Sequence, residues 1–170
     1  MGEPARPVFL LDPGEVGFRR VYAEPPRAGL VDAASADAFE ALGLAVRVRV
    51  PSRETRDACS LVELGIGADA GTPVHTLLHH DQVIEVLEGE LELRLAGRLL
   101  EAAAGDRVVV PRGTPLGLRN TGPGSARDQV TAAPGGHDEW LAELAELGPE
   151  PDAGELLEVH ARYGVELAAR

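Results

Sequence analysis

The sequence predicts an all-β fold, an antiparallel sandwich or barrel, with short helices at its C-terminal end. Three observations carry this. Short segments in which apolar and polar residues alternate recur through the middle of the chain. Turn chemistry separates them at close intervals. The strand–helix rhythm and the G-x-G-x-x-G sequence of a dinucleotide-binding fold are both missing. Many short strands at such spacing belong to sandwiches and barrels.

The elements follow in order. Pro25-Pro26 punctuates the N-terminal stretch. Asp37 to Leu42 has the pattern of a short helix, with Asp37 and Glu40 at capping-box spacing and Gly43 as its stop. From Ala45 to Val50, small or charged residues alternate with valine, which predicts a strand. Leu61 to Ile66, Val83 to Leu87, Leu91 to Leu95, Val108 to Val110, Leu116 to Leu118 and Gln129 to Ala132 are further strands. The separators are Gly65 to Gly71, Glu88-Gly89, Ala96-Gly97, Gly105-Asp106 and Pro111 to Gly113, with Gly122 to Gly124 before the last strand. Trp140, Leu141, Leu144 and Leu147 then fall at helical spacing, and Gly148 ends that helix. Asp152 and Glu155 repeat the capping-box spacing. Leu156, Val159, His160 and Tyr163 make one face of a second helix that ends at Gly164. Both helices are too short to stand alone and are expected to pack on the outside of the β-domain. The predicted organisation is a β-domain with an N-terminal extension over residues 1–136 and a helical appendage over 137–170.

Composition bounds the function. The chain has 170 residues, enough for one domain with a real core. All 16 basic residues are arginine, so Schiff-base and P-loop lysine chemistry is ruled out. Against 28 carboxylates the net charge is -12, which disfavours nucleic acid and anionic membrane surfaces. Cys59 is the one cysteine, so neither an internal disulfide nor a thiolate cluster can form, and its strand-like neighbours predict a buried, inert thiol. The N-terminus lacks a basic start followed by an apolar run, and no stretch is long and apolar enough for a membrane span. A cytoplasmic protein is expected.

Two stretches carry a resemblance. GTPVHTLLHHDQVIEVLEGE, Gly71 to Glu90, is similar to the first motif of the cupin family, and GDRVVVPRGTPLGLRN, Gly105 to Asn120, to the second. Gly105, Pro111, Gly113 and Asn120 keep the frame of the second motif, and VLEGE keeps the turn of the first. The tail, W-L-A-E-L and then a capped helix ending A-R-Y-G-V-E, resembles small bacterial single-domain cupins related to quercetin dioxygenases. The resemblance implies a double-stranded β-helix, or jelly-roll barrel, and a homodimer through sheet-edge contacts.

It also implies where a metal would sit. The family's first histidine falls on His75, its second on Leu77, its glutamate on Gln82 and its second-motif histidine on Leu116. Leucine has no lone pair, and a neutral amide is a poor transition-metal ligand. A rebuilt site would need His75 with His79 and His80, and perhaps Asp81. On an extended strand His79 lies about 13 Å beyond His75, too far to share a metal without a bend. The expectation is no cofactor.

If Gln82 points inward as the family's glutamate does, strand parity implies a pocket lined by Leu77, Ile84, Val86, Leu116 and Leu118, with His75 and Gln82 as polar handles. His75 is the expected acid–base residue, since an apolar pocket favours its neutral form, and Gln82 the positioning group. His79, His80 and Asp81 are read as a solvated hairpin or a pocket rim. Arg47 and Arg49 are read as a solvated outer face or a subunit contact, with a carboxylate clamp as the alternative. His137 and His160 are read as packing or surface residues, and Trp140 as a helix anchor. The expected function is a metal-independent isomerase, cyclase or lyase of small-molecule metabolism, secondary metabolism included. The alternatives are a metal-dependent dioxygenase with a rebuilt site and a non-catalytic small-molecule-binding protein.

Overall fold

A computed structural model describes residues 29–168. The expected punctuation at Pro25-Pro26 and the stretch before it lie outside the described residues. A 3-10 turn at Ala33–Ser35 precedes the strands. The elements are β1 (Ala38–Ala41), β2 (Leu44–Val50), α1 (Ser52–Thr55), β3 (Ser60–Ile66), β4 (Gly71–Leu77), β5 (Asp81–Glu88), β6 (Glu90–Leu95), β7 (Arg98–Ala103), β8 (Arg107–Val110), β9 (Pro115–Arg119), β10 (Ala126–Ala133), α2 (His137–Glu146), α3 (Ala153–Arg162) and β11 (Val165–Leu167).

The strands form two sheets. One runs β1-β2-β3-β10-β5-β8 and the other β11-β4-β9-β6-β7, with antiparallel pairing throughout. The period-two pattern explains the core. Val46, Val62, Leu64, Ile84, Val86, Val130, Leu91, Leu93, Leu116 and Leu118 point inward from their strands and are buried. Each such side chain contributes about 1.5–3 kcal/mol on burial.

The helix expected at Asp37 to Leu42 is instead strand β1, paired with β2 from Ala38↔Arg47 to Ala41↔Leu44. The reason is the turn. Leu42 and Gly43 have φ of 50° and 80°, the two positive values of a type I′ hairpin, which Gly43 adopts without a Cβ penalty. Strand pairing and the burial of Ala41 outweigh the local helix propensity of alanine, glutamate and leucine. Strands β4, β7 and β11 were not marked by alternation and form by pairing with β9, β6 and β4.

Two further expectations are corrected or sharpened. Cys59 is half-buried in the connection before β3, its N–H donated to Thr55 Oγ1 at 3.1 Å, so it is not a core thiol. On the outer sheet face Arg49 bonds Glu63, which also receives Arg127, while Arg47 is exposed. Burial alone would raise the pKa of Glu63, but the two guanidiniums outweigh it and hold the carboxyl below its ordinary value. Asn120 is a structural pin. Its Nδ2 donates to the carbonyls of Ile66, Gly67 and Gly124, and its Oδ1 accepts from Gly122 N–H.

Candidate functional site

The barrel encloses a cavity of about 80 Å³, in the measure by which a single water needs about 10–15 Å³. Strand parity builds one side of it. His75 of β4, Gln82 and Ile84 of β5, Leu116 and Leu118 of β9, Leu64 of β3 and Val130 of β10 all turn inward to it. His75 pairs directly with Leu116 across the β4–β9 ladder. The β1–β2 hairpin adds Ala41, Leu42 and Leu44.

The other side is helical. His137, Trp140, Leu141 and Leu144 of α2 fall at i, i+3, i+4 and i+7, one face of the helix, and all four line the cavity. His160 of α3 and Leu167 of β11 also line it. The helices expected on the outside of the β-domain therefore supply a wall of its interior. The start of α2 is fixed from both sides. Gly136 takes φ 114°, a conformation that favours glycine. Asp138 Oδ2 accepts from Ser52 N–H at 2.9 Å, Asp138 Oδ1 from the Ser52 hydroxyl, and Ser52 Oγ from Gly136 N–H at 2.6 Å. His137 sits between these anchors.

Trp140 has three imidazoles around it. Ring centroids lie 5.8 Å away for His75, 5.3 Å for His137 and 5.7 Å for His160. Burial lowers the pKa of each. For His75 the bond to Pro73 works against this, and nearby His160 adds to it. His137 is pushed down to about 3 by burial and by the proximity of His80 and His75. His160 is lowered by burial against its bond to Leu156. All three are neutral at pH 7. His75 Nδ1 lies 3.0 Å from the Pro73 carbonyl and His160 Nδ1 2.7 Å from the Leu156 carbonyl. A carbonyl oxygen accepts only, so Nδ1 carries the hydrogen in both rings and Nε2 keeps its lone pair.

Of the residues expected in the pocket, His75, Gln82, Ile84, Leu116 and Leu118 line the cavity. Leu77 and Val86 do not. They keep the inward parity but lie two residues further along β4 and β5, in packed core. His137 and His160, read as packing or surface residues, belong to the wall, as does Trp140. A usable signal was present: His137 shares the apolar face of α2 with Trp140, Leu141 and Leu144. His79, His80 and Asp81, read as a solvated hairpin or a pocket rim, are not one feature. His80 is buried with Nδ1 2.8 Å from the Pro134 carbonyl, His79 packs on Gly164, and Asp81 pairs with Arg112. None of these three lines the cavity.

The metal centre implied by the resemblance does not fit these residues. Of the four positions only His75 is a transition-metal donor, and His79 and His80 point to other partners. Among the described residues no group of three histidine, cysteine, aspartate or glutamate side chains is placed to hold an ion.

Comparison with known proteins finds a domain match and a shared fold. Residues 60–127 match the family model described as Cupin domain. No curated protein sequence matches the chain. Among solved structures it is similar to the polyketide cyclase RemF from Streptomyces resistomycificus, at 25% identity and a TM-score of 0.54, over 63% of this chain and 80% of that one. It is similar to an RmlC-like cupin from Shewanella frigidimarina NCIMB 400, at 21% identity and a TM-score of 0.56, over 66% and 96%. KdgF from Halomonas sp. is similar at 20% identity and a TM-score of 0.56, over 66% and 99%. Residues 60–127 therefore match a cupin domain, and they lie within two antiparallel sheets whose fold is similar to that of solved cupin structures.

Proposed function

We propose that this protein is a metal-independent enzyme that moves protons on a largely apolar small molecule, an isomerase, cyclase or lyase, with His75 as the acid–base group. The observation that carries the proposal is the bond between His75 Nδ1 and the Pro73 carbonyl, which leaves the Nε2 lone pair as the free base of a buried ring in a cavity wall. In that role Nε2 takes a proton from a carbon next to a carbonyl. The imidazolium that forms strengthens its Nδ1–H bond to Pro73, exchanges its Nε2 proton with solvent, and delivers a proton to carbon or to the leaving group. The buried Gln82 amide on the adjoining wall offers a donor to the oxygen that gains charge. Apolar walls keep the base neutral. The similarity to a polyketide cyclase, a ring-closing enzyme by its name, supports a non-redox reaction class.

The test is deuterium exchange. With 1-tetralone, an apolar enolisable ketone, in D2O, the wild type should exchange the α-hydrogens faster than buffer and His75→Ala should lose the excess. Exchange equal to buffer, or unchanged in the variant, would contradict the assignment.

A further inference from the structure

We propose that Trp140 and His137 form a hydrogen-bonding clamp for one oxygen of the ligand, and that the pocket takes a flat, uncharged ring bearing a carbonyl or hydroxyl group. The proposal rests on the reading of the cavity as a small-molecule site and adds to it a substrate class and two specificity-determining residues.

Buried polar atoms in native proteins nearly always have partners, and an exception calls for an explanation such as a ligand. Among the described residues that line the cavity, the buried side-chain nitrogens without a partner are His137 Nδ1 and Trp140 Nε1. They belong to one face of α2, with ring centroids 5.3 Å apart. His137 is 4% exposed and Trp140 7%, so bulk water does not satisfy them. An indole N–H only donates, so its partner must be an acceptor. Neutral imidazole can donate to that acceptor or accept from a hydroxyl hydrogen. A carbonyl or hydroxyl oxygen meets both demands. His137 stays neutral far into acid, which makes it a positioning residue here, distinct from the base at His75.

The remaining walls set the rest of the ligand. Ile84, Leu116, Leu118 and Leu144 are aliphatic, and Leu42 and Leu167, each more than a third exposed, form an apolar lip. Among the described residues no arginine lines the cavity, and its histidines are uncharged, so those walls offer a carboxylate or phosphate no counter-ion. A ligand lacking the oxygen would leave the indole N–H buried and unpaired, and sites of this kind reject such analogues strongly.

The experiment uses the whole protein with 1-tetralone and tetralin, which share the ring skeleton and differ in the oxygen. Trp140 is the sole tryptophan, so the indole N–H gives a single cross-peak in a 1H–15N spectrum. Tetralone should bind roughly tenfold more tightly than tetralin and shift that peak downfield as the hydrogen bond forms. Trp140→Phe and His137→Phe should each remove most of the tenfold advantage of tetralone over tetralin. The wild-type comparison needs no variant, so a variant that fails to fold leaves the test intact. Equal affinity for the two compounds, saturation by tetralone without movement of the peak, or no binding of either would overturn the clamp. Discrimination without deuterium exchange would uphold the clamp and sink the catalytic reading. Exchange without discrimination would do the reverse.

Discussion

The imidazole of His75 lies against the indole of Trp140, ring centroids 5.8 Å apart and planes inclined by 39°. One ring comes from β4 of the β-barrel and the other from α2, the helix that follows β10. The contact joins the two halves of the pocket and makes the C-terminal helices part of the interior.

Trp140 should therefore matter to stability as well as to binding. It is buried against the core and carries the helix that closes the cavity. Trp140→Ala should cost about 3–5 kcal/mol in urea unfolding, the usual range for removing a large buried aromatic. A loss below about 1 kcal/mol would mean that α2 is not seated as described.

The start of α2 depends on Ser52, whose hydroxyl joins Asp138 to the Gly136 N–H. Ser52→Ala leaves the buried Asp138 carboxylate and the half-buried Gly136 N–H one partner short. It should lower stability by about 1–3 kcal/mol and weaken tetralone binding through the loosened His137. Unchanged unfolding midpoint and unchanged affinity would contradict this anchoring role.

Asp128 gives a pH signature. It is fully buried on β10, opposite Leu64 and Val86. Burial pushes its carboxyl from 3.8 up to about 7, and the nearby Glu63 charge adds to the rise. Below the ordinary value both states are protonated. Between about pH 4 and 7 the unfolded chain releases a proton that the folded chain keeps, so stability falls as pH rises and levels off above that window. The buried histidines have lowered pKa values and act in the opposite sense, losing stability as pH falls. The difference between wild type and Asp128→Asn isolates the carboxyl. It should shift toward the variant by up to about 4 kcal/mol from pH 4 to pH 8. A pH-independent difference would contradict the buried acid.

The donor set makes a gain-of-function prediction. Leu116 pairs with His75, and Gln82 lines the same cavity. The double variant Leu116→His with Gln82→Glu places three donors there and should retain close to one equivalent of zinc after dialysis. Wild type should retain less than a tenth of an equivalent. Elemental analysis showing metal in wild type, or none in the variant, would count against the motif alignment.

Much of the barrel was legible because strand burial has period two. Val46, Val62, Ile84, Leu93 and Leu118 declare their faces in sequence, and parity together with the motif resemblance placed His75, Gln82, Ile84, Leu116 and Leu118 at the cavity. What strand parity could not give is how far along a strand the cavity extends, so Leu77 and Val86 were placed in its lining although they lie in packed core. Nor could it give tertiary placement. A helix with an apolar stripe declares that it packs, not on what, and so the wall built from His137, Trp140 and His160 was missed. β1 was misread because Asp37 and Glu40 imitate a capping box, while the decisive feature is the pair of positive φ values at Leu42 and Gly43.

The most direct measurement is the pH dependence of 1-tetralone exchange in D2O, run with and without EDTA, for wild type and His75→Ala. Burial holds His75 below its ordinary value of 6.5. The enzymatic rate should rise through one ionisation centred below 6.5, stay unchanged with EDTA, and vanish in the variant. A rate abolished by chelation, or one that persists with the same pH profile in His75→Ala, would contradict a metal-independent pocket with His75 as its base.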